Sequence, residues 1–551
     1  MNIVTYLFQQ FFYDEMFNTG AMIGLSIIIN LLQTNAISYI TANIIQNVEK
    51  NNIKIIYSFF NIFIILSIIF ILLSYNIRYF QNILLTKLRQ WLKYQLVKVL
   101  LVVNNEDFND TNFPSLISPI TRLATISFGF FTDLIAIVLP NIIFILVISG
   151  FFLYENLVFG IIFLISNILI LSSFFLNWKY IYSKNNDYEE KVKIQEDYLL
   201  DILNNIDKII YKGQVFNEID IFSEKSNDAI KYANIFYNCT NDNVFYSLIL
   251  VFILLFFSIG YLIYLVTNKK ISTTIFITFF TILLLYRDKM RLVLNQMPDF
   301  VEFIGRIDSV LEPFRELGEQ YMKMDLEKKE NLEIADFNTI RFENVAFKYK
   351  TTDKIILDGV NMDLNVDNKI IGINGLSGNG KSTFAKLILK IYKPTTGNIY
   401  IDGKNIKDMD TEYIRKNITY VSQNTKLFDI KIVENMLYGC GDINQCNIHL
   451  EEIMKYKKIK ELYRNIDIHN KKAGSLGENL SGGQRQIVNI ISGLVNPSPI
   501  LILDEPTNSI DIELKKELLG VIKDFKKYKK CIIIITHDRD VNYLFNETIR
   551  I

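Results

Sequence analysis

Two rhythms of hydrophobic and polar positions divide this chain. Up to about residue 290, long uncharged runs alternate with charged connections of helical pattern; from Thr339 onward, short apolar strands alternate with amphipathic helices. An ionised side chain is costly at mid-bilayer, and about 20 apolar residues suffice to cross it. The uncharged runs Met16 to Val48, Ile55 to Ile77, Leu134 to Tyr154, Leu157 to Trp178, Val244 to Val266 and Ile271 to Tyr286 therefore predict six spans. The last is short, and its helix is expected to continue through RDKMRLVLNQ into water. Residues 49 to 54, 155 to 156 and 267 to 270 read as tight turns. Residues 78 to 122 and 179 to 243 are long and carry more lysine and arginine, which places them and both termini in the cytosol. No disulfide pattern supports reading the long connections as extracellular domains.

The second half supplies the strands IRFENVAF, KIIGING, ITYVSQ, ILILDEP and CIIIITHD, with a helix expected from Lys381. Such alternation argues for a mainly parallel sheet flanked by helices. The expected fold class is an all-α six-helix transmembrane domain followed by an α/β P-loop NTPase domain, with boundaries at 1–325, a linker at 326–338, and 339–551.

Composition sharpens this division. Lys+Arg and Asp+Glu are both 58 in 551 residues, so no basic field exists to attract nucleic acid. The hydrophobic fraction is 50% and the mean hydropathy +0.21, an excess concentrated before residue 290. Cys239, Cys440, Cys446 and Cys531 show no zinc-ligand spacing and read as reduced thiols. The N-terminal stretch has neither the basic region and cleavage site of a secretory signal nor the arginines of a mitochondrial presequence. The first span is left to do the targeting.

Chemistry gathers in the second half. Gly375-Leu-Ser377-Gly378-Asn379-Gly380-Lys381-Ser382 fits G-x-x-x-x-G-K-[ST] between an apolar strand and an amphipathic helix, with Thr383 next in the helix. Glycines turn backbone N–H groups toward a phosphate, Lys381 reaches the terminal phosphates, and Ser382 offers a hydroxyl to Mg2+. At the end of ILIL stand Asp504 and Glu505. Asp504 suits magnesium, directly or through water, and Glu505 suits the general base that polarises an attacking water.

Between these elements lies Leu480-Ser481-Gly482-Gly483-Gln484, followed by Arg485-Gln486. This string resembles the signature of the ABC ATPases, and the six-span half is similar in topology to the membrane domain of half-size ABC exporters. The resemblance implies further roles. Tyr349 stacks on adenine; Gln423 in YVSQ senses Mg2+ and the attacking water; Asn508-Ser-Ile-Asp511 links two active sites; His537 in IITHD contacts the γ-phosphate. Ser481, Gly482, Gly483 and Gln484 face the ATP bound by another subunit, so a second identical or homologous subunit is implied. Segments near Thr111 to Thr121 and Gly213 to Ile221 fall at the family's two coupling helices.

The resemblance also has departures. Asn379 replaces a small residue in the phosphate loop, KKAGSLGENLSGGQ is shorter than the usual segment before the signature, and relatives continue beyond ETIRI. The function expected is ATP-driven export or lipid flipping by a dimer in a lipid bilayer, the cell membrane being the expected site. A regulatory ABC protein that gates a channel is the alternative. The transported substrate is unknown. Aromatic and amide-rich spans suit an amphipathic or lipid-like compound, scarce soft ligands argue against a transition metal, and no peptidase domain precedes the first span.

Overall fold

A computed structural model describes residues 3–49, 52–106, 108, 116–324, 336–350, 352, 354–375, 380–423, 426–508 and 510–550. The chain divides into two compact units, one of residues 1–100 and 111–323, the other of 101–110 and 324–551.

The described residues of the first unit are mostly helical: α1 (Ile3–Asp14), α2 (Met16–Leu31), α3 (Ser38–Glu49), α4 (Ile53–Glu106), α5 (Ile117–Asp133), α6 (Leu139–Glu155), α7 (Leu157–Leu176), α8 (Trp178–Asn204), α9 (Ile206–Tyr211), α10 (Val215–Thr267), α11 (Thr273–Asn295) and α12 (Met297–Lys323). π-Helical stretches at Leu32–Ile37 and Leu134–Val138 join α2 to α3 and α5 to α6, so the first predicted span is one interrupted rod. Among the described residues, four helical stretches are long and apolar enough to cross a membrane: Ile53–Asn105, Ile120–Tyr154, Leu157–Asn204 and Val215–Thr267. The shorter apolar helix Met16–Leu31 falls in the first predicted span. The sixth lies in α11, which runs on through Arg287, Asp288, Lys289 and Arg291 to Asn295; these charges lower its apolar character.

Local chemistry explains the joints. Asn156 caps α7, accepting from Phe159 N at 3.0 Å, and a Cβ on Gly160 would lie 2.5 Å from Leu153 Cα. Only glycine lets α6 and α7 approach this closely across a one-residue turn. Ser272 caps α11 by accepting from Ile275 N at 3.2 Å. Inside the unit, some buried polar side chains pair: Tyr286 donates to Asn167 Oδ1 at 2.7 Å, Asn185 to Val301 O at 2.9 Å, and Arg306 to Glu189 at 2.9 Å. Its outer surface is apolar, with Ile65, Ile68, Ile71 and Leu72 of α4 all exposed. Aliphatic residues in such continuous exposure mark a lipid-facing surface.

The second unit contains β1 (Thr339–Lys348), β2 (Ile355–Asn365), β3 (Lys369–Asn374), β4 (Thr396–Ile401), β5 (Lys404–Asn405), β6 (Ile418–Val421), β7 (Ile500–Asp504), β8 (Cys531–Ile535) and β9 (Glu547–Arg550). Its helices are α13 (Lys381–Ile388), α14 (Thr411–Asn417), α15 (Ile432–Met436), α16 (Ile443–Ile453), α17 (Lys457–Leu462), α18 (Gly482–Val495) and α19 (Ile512–Phe525). The parallel sheet has the order β6-β7-β8-β3-β9; a separate antiparallel sheet, β2-β1-β4-β5, takes the strand IRFENVAF out of it. Every residue of β7 and β8 is buried. The nearly unbroken aliphatic sequence of both strands is what a sheet covered on both faces requires.

Two findings depart from the sequence reading. Cys440 and Cys446 form a disulfide instead of two thiols, because the turn between α15 and α16 brings their Cα atoms to 6.7 Å. In addition, residues 101–110, continuous with α4, belong to the second unit. There Arg415 donates to Asn105 at 2.7 Å, Phe108 N donates to Ile391 O at 3.2 Å, and the Phe108 and Tyr392 rings meet edge to face. The expected first coupling segment starts later: residues 111–115 lie outside the described residues, and α5 occupies the rest.

Candidate functional site

The carboxyl end of the parallel sheet gathers the chemistry. Gly375 follows β3, and α13 starts at Lys381, capped by Gly380 at φ +88°. A Cβ on Gly380 would lie 2.8 Å from Ile356 Cγ2, so both conformation and space demand glycine. Lys381 is buried, and its ammonium donates to Gly375 O at 2.8 Å, folding back over the loop entrance. Ser382 is half-buried in the first turn of α13. Ser377, Gly378 and Asn379 lie outside the described residues.

β7 brings Asp504 and Glu505 to the same end. Asp504 Oδ2 accepts a hydrogen bond from the Tyr420 hydroxyl at 2.7 Å. Burial and this carboxylate together raise the phenol well above its usual range, so Tyr420 stays a neutral donor. Among the described residues, Asp504 Oδ1 and Glu505 Oε2 are buried without a hydrogen-bond partner. An unpaired buried carboxylate oxygen is costly. The pair fits a hard cation beside Asp504 and a water beside Glu505. Glu505 sits at φ +49°, an uncommon conformation for a residue with a side chain. Its N–H donates to Ile535 O at 2.8 Å, and Gln486 donates to its carbonyl at 3.4 Å. His537 Nδ1 lies 2.9 Å from Glu505 Oε1, while most of the imidazole remains exposed. The structure thus joins Glu505 and His537 directly. Gln423, just after β6, is exposed.

Beyond Glu505, Thr507 donates to Asp538 at 3.0 Å, and Lys515 pairs with Asp538 at 2.5 Å. Burial works to raise the Asp538 pKa, but these partners hold it below the ordinary carboxylate value. Asp511 caps α19, accepting from Leu514 N at 2.9 Å.

The signature is built as a helix start. Ser481 caps α18: its Oγ accepts from Gln484 N at 3.3 Å, and Gln484 Oε1 accepts from Ser481 N at 2.9 Å. This reciprocal box fixes the chain's entry into the helix. Ser481 and Gly482 are exposed, while Gly483 and Gln484 are half-buried. Gln484 also donates to Leu462 O at 3.1 Å, and Arg485 to Leu480 O at 3.0 Å. The cap therefore offers its N-terminal dipole outward.

Tyr349 is half-buried, its hydroxyl 2.7 Å from Thr383 Oγ1 and its ring edge-on to Phe347 and Tyr392. Sequence reasoning missed Tyr420, although YVSQ begins on the strand beside β7 and an aromatic hydroxyl there was a readable signal.

Residues 357–508 match the family model described as ABC transporter. The second unit therefore contains an ABC transporter domain. An ATP-dependent lipid A-core flippase of Photobacterium profundum is 34% identical over 221 residues, covering 39% of this chain and 37% of the relative. The mitochondrial iron-sulfur clusters transporter ABCB7 of Danio rerio is 34% identical over 200 residues, 36% of this chain and 26% of the relative. For the chloroplastic ABC transporter B family member 26 of Arabidopsis thaliana the figures are 34% over 204 residues, 36% and 28%. The chain thus spans under two fifths of these relatives' lengths. A solved structure, a bacterial Atm1-family ABC exporter with ATP bound, superposes with a TM-score of 0.79 at 18% identity, covering 98% of this chain and 93% of that one. The ABC domain and its helical partner unit together have an ABC exporter fold, and the lipid-facing helices make the chain a membrane protein.

Proposed function

We propose that the chain is one half of an ATP-driven exporter or lipid flippase, completed by a second copy of itself. The observation that supports this reading is that the chain's candidate catalytic carboxylates and its exposed signature cap are two separate groups of residues. Lys381, Asp504 and Glu505 are gathered at the sheet end, while the exposed Ser481–Gly482 cap offers N–H groups outward.

Phosphates are held by backbone N–H groups of the loop, the α13 N-terminus and Lys381, which is freed from Gly375 O when it turns to them. Ser382, Asp504 and Gln423 would hold Mg2+, which when bound neutralises phosphate charge. Glu505 takes a proton from the attacking water through Oε2, while His537 fixes the other oxygen and holds the carboxylate in line. Tyr420 aims Asp504 by occupying one of its oxygens. The second copy's signature supplies the remaining donors at the terminal phosphate. Tyr349 stacks on adenine.

The α9–α10 corner suits such a partnership. Ile206, Ile210, Tyr211, Phe216 and Ile219 are exposed there, with Tyr211 at 82% and Phe216 at 81%. An apolar tip of this size on a charged hairpin suits burial against the second copy's ABC domain. The ABC domains and both termini face the cytosol of a cell-membrane protein. Both relatives named for cargo bear transport names, and amphipathic or lipid-like cargo suits the aromatic, amide-rich helices.

Glu505→Gln tests the chemical assignment. Turnover is expected to fall by roughly 10²–10⁴-fold, with ATP still bound and the dimer trapped. Unchanged hydrolysis by the purified variant removes Glu505 from the role of base.

A further inference from the structure

The disulfide between Cys440 and Cys446 lies at the opposite end of α18 from the signature. Cys446 is fully buried in α16, beside Leu450 and Ile453, in the same core as Leu494 and Val495. Its Sγ is 3.2 Å from Val495 O, the last carbonyl of α18. His449 Nδ1 is 3.4 Å from the same oxygen. Cys440, half-buried, stands between exposed Gly439 and Gly441. This loop is tied to the helix end as well, since Asn496, the C-cap of α18, donates to Gly439 O at 3.1 Å. Lys529 donates to Asn496 O, and to Ser498 O at 3.2 Å. The cystine therefore closes a short loop, Cys440 to Cys446, that is hydrogen-bonded to the end of the helix whose other end is the signature.

We infer that Cys440 and Cys446 are a redox modification site, read by dithiols and disulfides in solution, that sets how firmly the distal end of the signature helix is held. The inference rests on the exporter reading for its setting: an ATPase domain faces an ATP-containing compartment, where thiols are normally kept reduced and disulfides are mostly transient or sensing.

Burial sets the direction of attack. A thiolate of a dithiol reaches the Cys440 sulfur and forms a mixed disulfide, while the Cys446 sulfur leaves with the bonding electron pair and takes up a proton. The second thiol of the reagent then attacks its own sulfur in the mixed disulfide and releases Cys440, which is also protonated. Two electrons and two protons pass to the protein, and the reagent leaves as its disulfide. Both products have acceptors in place: Cys446 S–H faces Val495 O, and Cys440 S–H faces Asp442 O at 3.0 Å. Both oxidation states are thus accommodated without displacing the core. Oxidation adds the cross-link that removes the loop's freedom; reduction leaves only hydrogen bonds to hold it.

The test uses the full-length chain in detergent, equilibrated in dithiothreitol buffers of graded oxidised-to-reduced ratio. Alkylation and intact mass count thiols, and hydrogen exchange follows residues 439–447 and 492–497. Reduction is expected to expose two further alkylatable thiols, to lower protection of 439–447 by about tenfold, and to raise the apparent KM for ATP. Cys440→Ser, at the half-exposed position, should reproduce the reduced state and stop responding to the buffer; Cys446→Ser should do the same. The inference is overturned if the cystine never forms at any ratio, or if it forms and leaves exchange in both segments and the KM unchanged. Reduced protein that hydrolyses ATP without redox response sinks this inference alone. Redox-dependent exchange in a protein that hydrolyses no ATP in either state sinks the exporter reading and leaves the site standing.

Discussion

The helical unit and the ABC domain solve burial in opposite ways. In the ABC domain, β7 and β8 are wholly buried aliphatic strands. In the helical unit, Ile65 to Leu72 of α4 includes exposed aliphatics, while Asn167, Asn185 and Ser258 are buried. Water excludes apolar surface from the first; lipid leaves the second with little hydrophobic drive between helices, so close contact and polar links decide packing. Gly160 against Leu153 and Tyr286 on Asn167 are those devices.

Paired truncations should test this contrast with the largest effect. Ile502→Ala, at the centre of β7, is expected to destabilise the ABC domain by about 2–5 kcal/mol. Ile68→Ala on α4 should leave helical stability within about 0.5 kcal/mol, as a surface change does. Thermal unfolding of both variants in the same detergent measures the contrast, and equal losses would contradict the lipid-facing assignment.

A smaller effect is expected at Tyr420, the hydroxyl that links β6 to Asp504. Tyr420→Phe leaves a second oxygen of that carboxylate unpaired, and one such lost partner is worth about 1–3 kcal/mol. The Mg2+ concentration needed for half-maximal ATP binding should rise, while Asp504→Asn should remove the dependence on the Tyr420 hydroxyl. An unchanged Mg2+ requirement in Tyr420→Phe would show that the hydroxyl does not position the carboxylate.

The mildest test is by pH. Burial lowers the Lys529 ammonium to about 7, whereas the unfolded side chain titrates near about 10.4. Between these values the unfolded chain holds more protons, so stability rises with pH from about 7 toward 10.4 and the buried charge penalises the fold below 7. Lys529→Met should flatten that rise in melting temperature between pH 6 and 9. The same slope in wild type and variant would show that Lys529 is not its source.

What could be read beforehand follows the same contrast. The phosphate loop, Asp504, Glu505 and the signature stood out as motifs because chemistry fixes residue types at fixed spacing, and the structure joins Glu505 to His537. The helical unit was legible only as uncharged runs. A π-helical interruption such as Leu32–Ile37 leaves no such mark. The antiparallel sheet around β1 escaped because alternation reports strands without naming their partners. The Cys440–Cys446 pairing escaped because sequence spacing does not specify the turn that brings the two together. Likewise, Asn105 and Phe108 joined the second unit through contacts with Arg415 and Tyr392 that are remote in sequence.

In the proposed dimer each ATP site is shared between two chains, Lys381 from one and Ser481 from the other. A Lys381→Ala chain keeps its signature, and a Ser481→Arg chain keeps its phosphate loop. In a mixed dimer one interface carries both lesions and the other carries none, whereas each homodimer is damaged at both. Differently tagged chains, purified as mixed dimers and reconstituted beside both homodimers and the wild type, give the measurement. A shared site requires ATPase activity in the mixed dimer above that of either mutant homodimer. Full activity in isolated monomers, or mixed dimers no more active than the mutant homodimers while wild-type dimers turn over normally, would contradict it.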